Sequence, residues 1–205
     1  MSALLLSMGL SACVSVGLGG DVPAQAQYRL NDVAAPVQRL LAPIVPALLI
    51  QPMPADATGD TSTIAYSRRP HEFAHYQFAS WTERPLRQLP RLLQQRLEAR
   101  GVAAAVGVIG EPMRADWLLT VAIDTLHHDL SVAPGQGRLA LTAELFERRS
   151  RTRLARRQFD VAVPTASADA PGAAVAMSAA TTQVFDQMLP WLEAELQKAA
   201  AAAPK

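Results

Sequence analysis

Three stretches in the second half of the chain alternate apolar with more polar residues. They are Trp117, Leu119, Val121 and Ile123; then Leu139, Leu141, Ala143 and Leu145; then Phe159, Val161 and Val163. A period of two marks a half-buried strand, because successive side chains point to opposite faces. The last two stretches flank an arginine-rich segment and are predicted to pair as a hairpin. Earlier, Leu48-Leu49-Ile50 forms a short apolar run hemmed by Pro43, Pro46, Pro52 and Pro54. That suits a short strand with Pro46 at its start or edge, since proline cannot donate to a ladder. Residues 63–66 and 74–78 read as two more strands around an Arg-Arg-Pro turn, and ordered structure begins at Tyr28-Arg29-Leu30.

A different period marks two helices. Leu86, Leu89, Leu93 and Leu97 fall on one face behind Pro85. Proline suits a first helical turn, Thr82 stands before it as a cap, and Gly101 supplies the stop. A second helix is predicted from about Pro171 to Ala200, with Thr182, Phe185, Leu189, Leu192 and Leu196 on one face. Pro190 should kink or restart it by removing a backbone donor. The expected fold is a single α+β domain: a mainly antiparallel sheet with two helices packed on one face. It should occupy residues 28–198, with 199–205 a disordered tail, and no internal repeat is visible.

The N-terminus follows neither pattern. Residues 1–20 carry no charge, and Leu4, Leu5, Leu6, Met8 and Leu10 crowd before small residues, as in the apolar region of a signal peptide. The basic residues that ordinarily open such a peptide are absent. Leu10-Ser11-Ala12-Cys13 resembles a bacterial lipobox, in which the cysteine becomes the acylated first residue of the mature protein. The apolar run is too short for the roughly 20 residues of a spanning helix. Residues 1–12 are therefore expected to be a lipoprotein signal peptide, and 13–27 a lipidated flexible tether. Two or more acyl chains (palmitate and its like) at Cys13 would hold stably, where one holds only marginally. By analogy with such lipoproteins, Val14 in place of an aspartate points to the outer membrane.

Charge and cysteine content narrow the classes further. Nineteen basic and eighteen acidic residues leave a formal charge of +1, so nothing global suggests nucleic acid. Cys13 is the only cysteine, so no intrachain disulfide can form.

Three constellations carry candidate chemistry. His71-Glu72-Phe73-Ala74-His75 matches the zinc-hydrolase pattern H-E-x-x-H, which needs a helix to bring both histidines to one face. Pro70 and the surrounding Tyr66, Phe73, Tyr76, Phe78 and Trp81 favour extended structure, where i and i+4 lie about 13 Å apart. Glu98 is a distant third ligand if the region were helical. His127-His128-Asp129 closes a predicted strand, and its adjacent histidines should face opposite ways, as a polar strand end. Arg148, Arg149, Arg151, Arg153, Arg156 and Arg157 crowd one hairpin: a solvated face, or a basic edge for anionic headgroups or an acidic partner. No catalytic residue, cofactor or metal is assigned.

The segment Tyr28-Arg29-Leu30, then Ile64-Ala65-Tyr66, then His75 to Trp81 leading to Pro85, resembles the auxiliary lipoproteins of ABC-type transporters. This is the family of paraquat-inducible protein C and of lipoproteins that accompany mammalian-cell-entry (MCE) lipid transport systems. The likeness continues through Ala115-Asp116-Trp117-Leu118-Leu119, a hairpin, and an alanine-rich helix containing Trp191. It implies a non-catalytic, periplasm-facing outer-membrane lipoprotein working with an MCE-domain protein and an ABC permease and ATPase, in a system that moves phospholipid or other hydrophobic molecules. A homo-oligomer would fit docking onto a symmetric MCE assembly. The chain has no phosphate-binding loop and cannot itself hydrolyse ATP. Tyr66, Tyr76, Phe78 and Trp81, with Arg148, Arg149 and Arg151, are the candidate partner or lipid surface. The alternative role is a structural lipoprotein of another outer-membrane assembly.

Overall fold

The computed structural model describes residues 24–35, 38–54 and 58–202. Cys13, the signal peptide and the tether up to residue 23 lie outside them. Eight strands and two helices follow in the order β1 (Ala26–Tyr28), β2 (Val45–Pro52), β3 (Thr63–Arg69), β4 (Glu72–Trp81), α1 (Pro85–Arg100), β5 (Ala103–Val108), β6 (Trp117–Asp129), β7 (Gln136–Glu147), β8 (Thr152–Pro164) and α2 (Ala170–Ala202).

The domain is α+β with two helices, but the sheet is mixed rather than mainly antiparallel. The pairs β3–β4, β6–β7 and β7–β8 are antiparallel. Against them, β1–β4, β2–β5, β2–β6 and β3–β6 are parallel. The reason lies in β6, a 13-residue strand that pairs with β7 along its full length. On its other edge it takes β2 beside Trp117–Val121 and β3 beside His128 and Asp129. Both incoming strands run with it, because the chain returns through α1 and β5 before β6 begins.

Register puts Leu119 opposite Leu145, Val121 opposite Ala143 and Leu141 opposite Phe159, so the alternating residues share one face. Both helices deliver their apolar stripes to that face. Leu89, Leu93 and Leu97 of α1 join Phe185, Leu192 and Leu196 of α2 in a single buried cluster with the sheet. At about 25 cal/mol per Å² of apolar surface removed from water, such side chains are worth about 1.5–3 kcal/mol each. Ala173, Ala176 and Met177 let α2 lie close to β7: a methyl on Gly137 would sit 2.5 Å from the backbone of Ala176 and Met177.

Helix boundaries differ in detail from the sequence expectation. Thr82 is not the cap of α1. Arg84 occupies that position with no side-chain capping bond, and the Leu86 N–H instead donates to the Gly59 carbonyl at 3.0 Å. Gly101 ends the helix at φ 73°, its N–H reaching Leu97 O and Glu98 O. Pro190 does not break α2, which is one 33-residue helix. It lies on the exposed side, where water can satisfy the carbonyl that proline leaves without a donor. The helix also runs through Ala202, into the segment expected to be tail, and β1 takes up two residues assigned to the tether.

Candidate functional site

The β3–β4 hairpin carries the aromatic candidates. Its tip is Pro70-His71, with His71 at φ 65°, the left-handed turn conformation. His71 therefore sits in a turn and His75 on β4 opposite Ala65, and the H-E-x-x-H run straddles two elements rather than one helix face. Among the described residues no group of three or more His, Cys, Asp or Glu is placed to hold a metal ion.

Behind the tip, Tyr66 and Tyr76 meet across the hairpin with ring centroids 4.9 Å apart and planes tilted by 49°, and Arg68 lies over the Tyr66 ring at 5.1 Å. The Tyr76 hydroxyl meets His128 Nδ1 at 2.7 Å, and His128 Nε2 faces Thr165 Oγ1 at 3.4 Å. Thr165 in turn donates to the Pro134 carbonyl at 3.0 Å. His128 is fully buried and His127 nearly so, with its Nδ1 2.9 Å from Thr125 Oγ1 and its ring edge-on to Phe73 at 5.1 Å. The polar strand end expected there has both its histidines in the interior, where Tyr76 and Thr165 enclose His128 and Phe73 covers His127. The two histidines do face different neighbours, as adjacent strand residues should.

Electrostatics keep this relay neutral. Burial, then the nearby Asp169 carboxylate and Tyr66, push Tyr76 up to about 12. Burial likewise holds His128 below its ordinary value, against the upward pull of the Pro134 carbonyl and of Asp169 and Asp129. A phenol that keeps its proton and an imidazole that refuses one form a structural link, with Tyr76 donating to Nδ1 and the Nε2 proton turned toward Thr165 and Pro134.

The candidates do not form one surface. Trp81 is 3% exposed and belongs to the core, because β1 and β3 both pair over the end of β4. Phe78 is exposed on β4, and Tyr66 and Tyr76 are half-buried. Arg148, Arg149 and Arg151 lie in the β7–β8 turn at the Trp117 end of β6, where the Arg148 N–H donates to Asp116 O and its guanidinium to Ala115 O. Arg153 and Arg156 both reach Glu144, at 2.9 and 3.4 Å, and Arg157 covers Phe159. The hairpin tip pairs with the opposite end of β6. At about 3.3 Å per residue, a 13-residue strand sets the two groups about 40 Å apart.

Sequence reasoning missed a buried ionic network. Arg96 of α1 makes a two-pronged contact with Asp32 at 2.7 Å on each arm and reaches Asp186 of α2 at 2.9 Å. Thr182 donates to Asp32 and receives the Val33 N–H, both at 2.9 Å. Arg100 holds Glu193 at 2.6 Å. Burial pushes Asp32 up, but hydrogen bonds from Arg96 and Thr182 and the Arg96 charge outweigh it and leave the carboxyl below its usual range. The same bond to Asp32 holds Arg96 above its ordinary value. The network fastens the segment after β1 across both helices. Its one sequence signal is an arginine inside the leucine stripe of α1.

The geometry defines a two-helix, mixed-sheet α+β domain with the aromatic hairpin and the Arg148–Arg149–Arg151 turn at opposite ends of one long strand. The chain belongs to the family of ABC-type transport auxiliary lipoprotein components, whose model matches residues 28–189. Among solved structures it is similar to a Xanthomonas campestris protein, at 23% identity and TM-score 0.77, over 86% of this chain and all of that one. It is also similar to an uncharacterized protein at 12% identity and TM-score 0.65, over 82% of this chain and 99% of the other. These likenesses show the fold. No curated protein matches significantly. Among the described residues no helix is long and apolar enough to cross a membrane.

Proposed function

We propose that the chain is a non-catalytic, outer-membrane lipoprotein, anchored through Cys13 and facing the periplasm, that serves an ABC/MCE-type system moving lipid between membranes. The observation that carries this is the family match, which runs from the end of β1 through most of α2 and so takes in nearly the whole folded domain. Such a protein works by presenting surfaces: one toward the membrane that holds it and one toward the MCE-domain protein. The Arg148, Arg149 and Arg151 turn is the basic end offered to a partner.

Affinity purification of the lipidated chain tests the reading. Recovery of an MCE-domain protein, with co-purified phospholipid by mass spectrometry, is the expected result. Recovery of a different envelope assembly with no MCE protein would overturn the transport assignment and favour a structural role. Replacing Cys13 with Ala should move the protein from the outer-membrane fraction to the soluble periplasmic fraction.

A further inference from the structure

The strand β1 gives the domain an orientation. It runs parallel to β4, pairing Ala26 with Ala79 and Tyr28 with Trp81. Because β4 starts at the hairpin tip, the chain preceding Ala26 is aimed toward that tip and away from the Arg148–Arg149–Arg151 turn. Ala26 lies about 25 Å from the tip along β4, and residues 13–26 span at most about 45 Å when extended. An anchor at Cys13 can therefore reach beyond the tip in the direction β1 sets, whereas the Arg148–Arg149–Arg151 turn lies the other way, at the far end of β6.

The tip has the surface such a position calls for. Phe73 is 48% exposed, and Val132, in the β6–β7 loop beside it, 69%. Arg69, His71, Phe73 and Ser131 line one cavity of about 270 Å³ at this end. The loop is pinned to β3 by the Leu130 N–H, which donates to Ser67 O at 2.7 Å. Arg68 and Arg69 are exposed at the tip; Glu72 reaches Arg69 only at 4.0 Å, and Asp129, which lines the same cavity, accepts the Ser131 N–H at 2.9 Å. Exposed aromatic and aliphatic side chains ringed by arginine suit the boundary between headgroups and acyl chains.

We infer that the β3–β4 hairpin tip, with Phe73, Val132, Arg68 and Arg69, docks on the bilayer that anchors the chain, against anionic phospholipid. The domain then stands on its tip and projects the Arg148–Arg149–Arg151 turn away from the membrane. This rests on the anchoring reading above for the tether, but the contact itself belongs to the folded domain. Two basic residues near an anionic surface are too few to hold the chain by themselves, so the tip orients a chain that the acyl groups retain.

The test is tryptophan quenching on phosphatidylethanolamine–phosphatidylglycerol vesicles doped with brominated phospholipid. The full chain is held by its acylated Cys13 or, if mass spectrometry finds Cys13 unmodified, by coupling that thiol to a maleimide-bearing lipid. The mass of Cys13 thus judges the anchor, and the quenching judges the docking. Three chains are compared: the native chain, whose Trp81 and Trp117 are buried and Trp191 half-buried, Phe73→Trp, and Leu154→Trp near the arginine turn. The expected result is added quenching for Phe73→Trp alone, lost when Arg68 and Arg69 are both changed to Glu. Equal or greater quenching of Leu154→Trp, or a Phe73→Trp chain no more quenched than the native one, would overturn the proposal.

Discussion

Replacing Arg96 with Met removes the centre of the buried ionic network while keeping most of the side-chain volume. Arg96 is 4% exposed at its side chain and Asp32 12%, whereas Asp186 is 57% exposed. The Asp186 arm should therefore contribute under about 1 kcal/mol, as surface pairs do. The Asp32 arm is different. Without Arg96, the carboxylate stays enclosed with only the Thr182 hydroxyl and the Ala34 N–H, and breaking a buried pair on one side costs about 3–5 kcal/mol. Against a total of about 5–15 kcal/mol, that is a large fraction. Urea denaturation at pH 7 measures it. The double variant Asp32→Asn/Arg96→Met should recover a good part of the loss, because no uncompensated charge remains. Asp32 has a depressed carboxyl in the folded state, so its contribution is present above the unfolded value near 3.9 and disappears as pH falls through the folded one. The gap between native and Arg96→Met chains should accordingly narrow at pH 3. A single-variant cost below about 1 kcal/mol at pH 7, or a double variant as unstable as the sum of the singles, would refute this account.

Three further outcomes are expected. His128 is held neutral in the fold, so stability should be full above about pH 6.5 and decline below it as the unfolded chain takes up a proton first; His128→Gln should flatten that decline in a urea series from pH 7 to 5. Gly137→Ala pushes a methyl to 2.5 Å from the α2 backbone and should cost about 2 kcal/mol or more, whereas a neutral result would mean α2 sits farther from β7. Gly101→Ala forces a side chain into the left-handed C-cap at φ 73° and against Arg39, for a loss of about 1 kcal/mol in thermal or urea unfolding.

The strands with strict alternation were legible because burial on one face writes itself into every second residue. Strand direction was not, since alternation fits a parallel neighbour as well as an antiparallel one. One clue was present: Leu48, Leu49 and Ile50 are all buried, the continuous apolar run of a strand covered on both faces, as parallel strands are. β5 escaped notice because Ala103-Ala104-Ala105 has little strand propensity, and pairing with β2 holds it in place. The aromatic segment at 66–81 pointed to the right hairpin but not to which rings face out. Trp81 and Phe78 lie three residues apart in one strand and so face opposite ways, but which of the two faces is covered is decided by the packing of the rest of the domain. Arg96 shows the same limit: a charge in an apolar stripe announces a buried partner, but Asp32 lies far off in sequence.

The position of β6 also governs how the molecule is made. Neither β2 nor β3 pairs with the other; Leu48 waits for Trp117 and Tyr66 for His128, both still unsynthesised when the first strands emerge. Assembly must close these long loops before the parallel pairings return any stabilisation, which makes for slow folding. In the interval the apolar edge of β2 is open to other chains. The antiparallel β6–β7–β8 meander, whose contacts are local, is the natural first nucleus, and its completion gives β2 and β3 the edge they share. A lesion in the meander should therefore retard acquisition of the native state, while one in the Asp32–Arg96 clamp should chiefly hasten its loss.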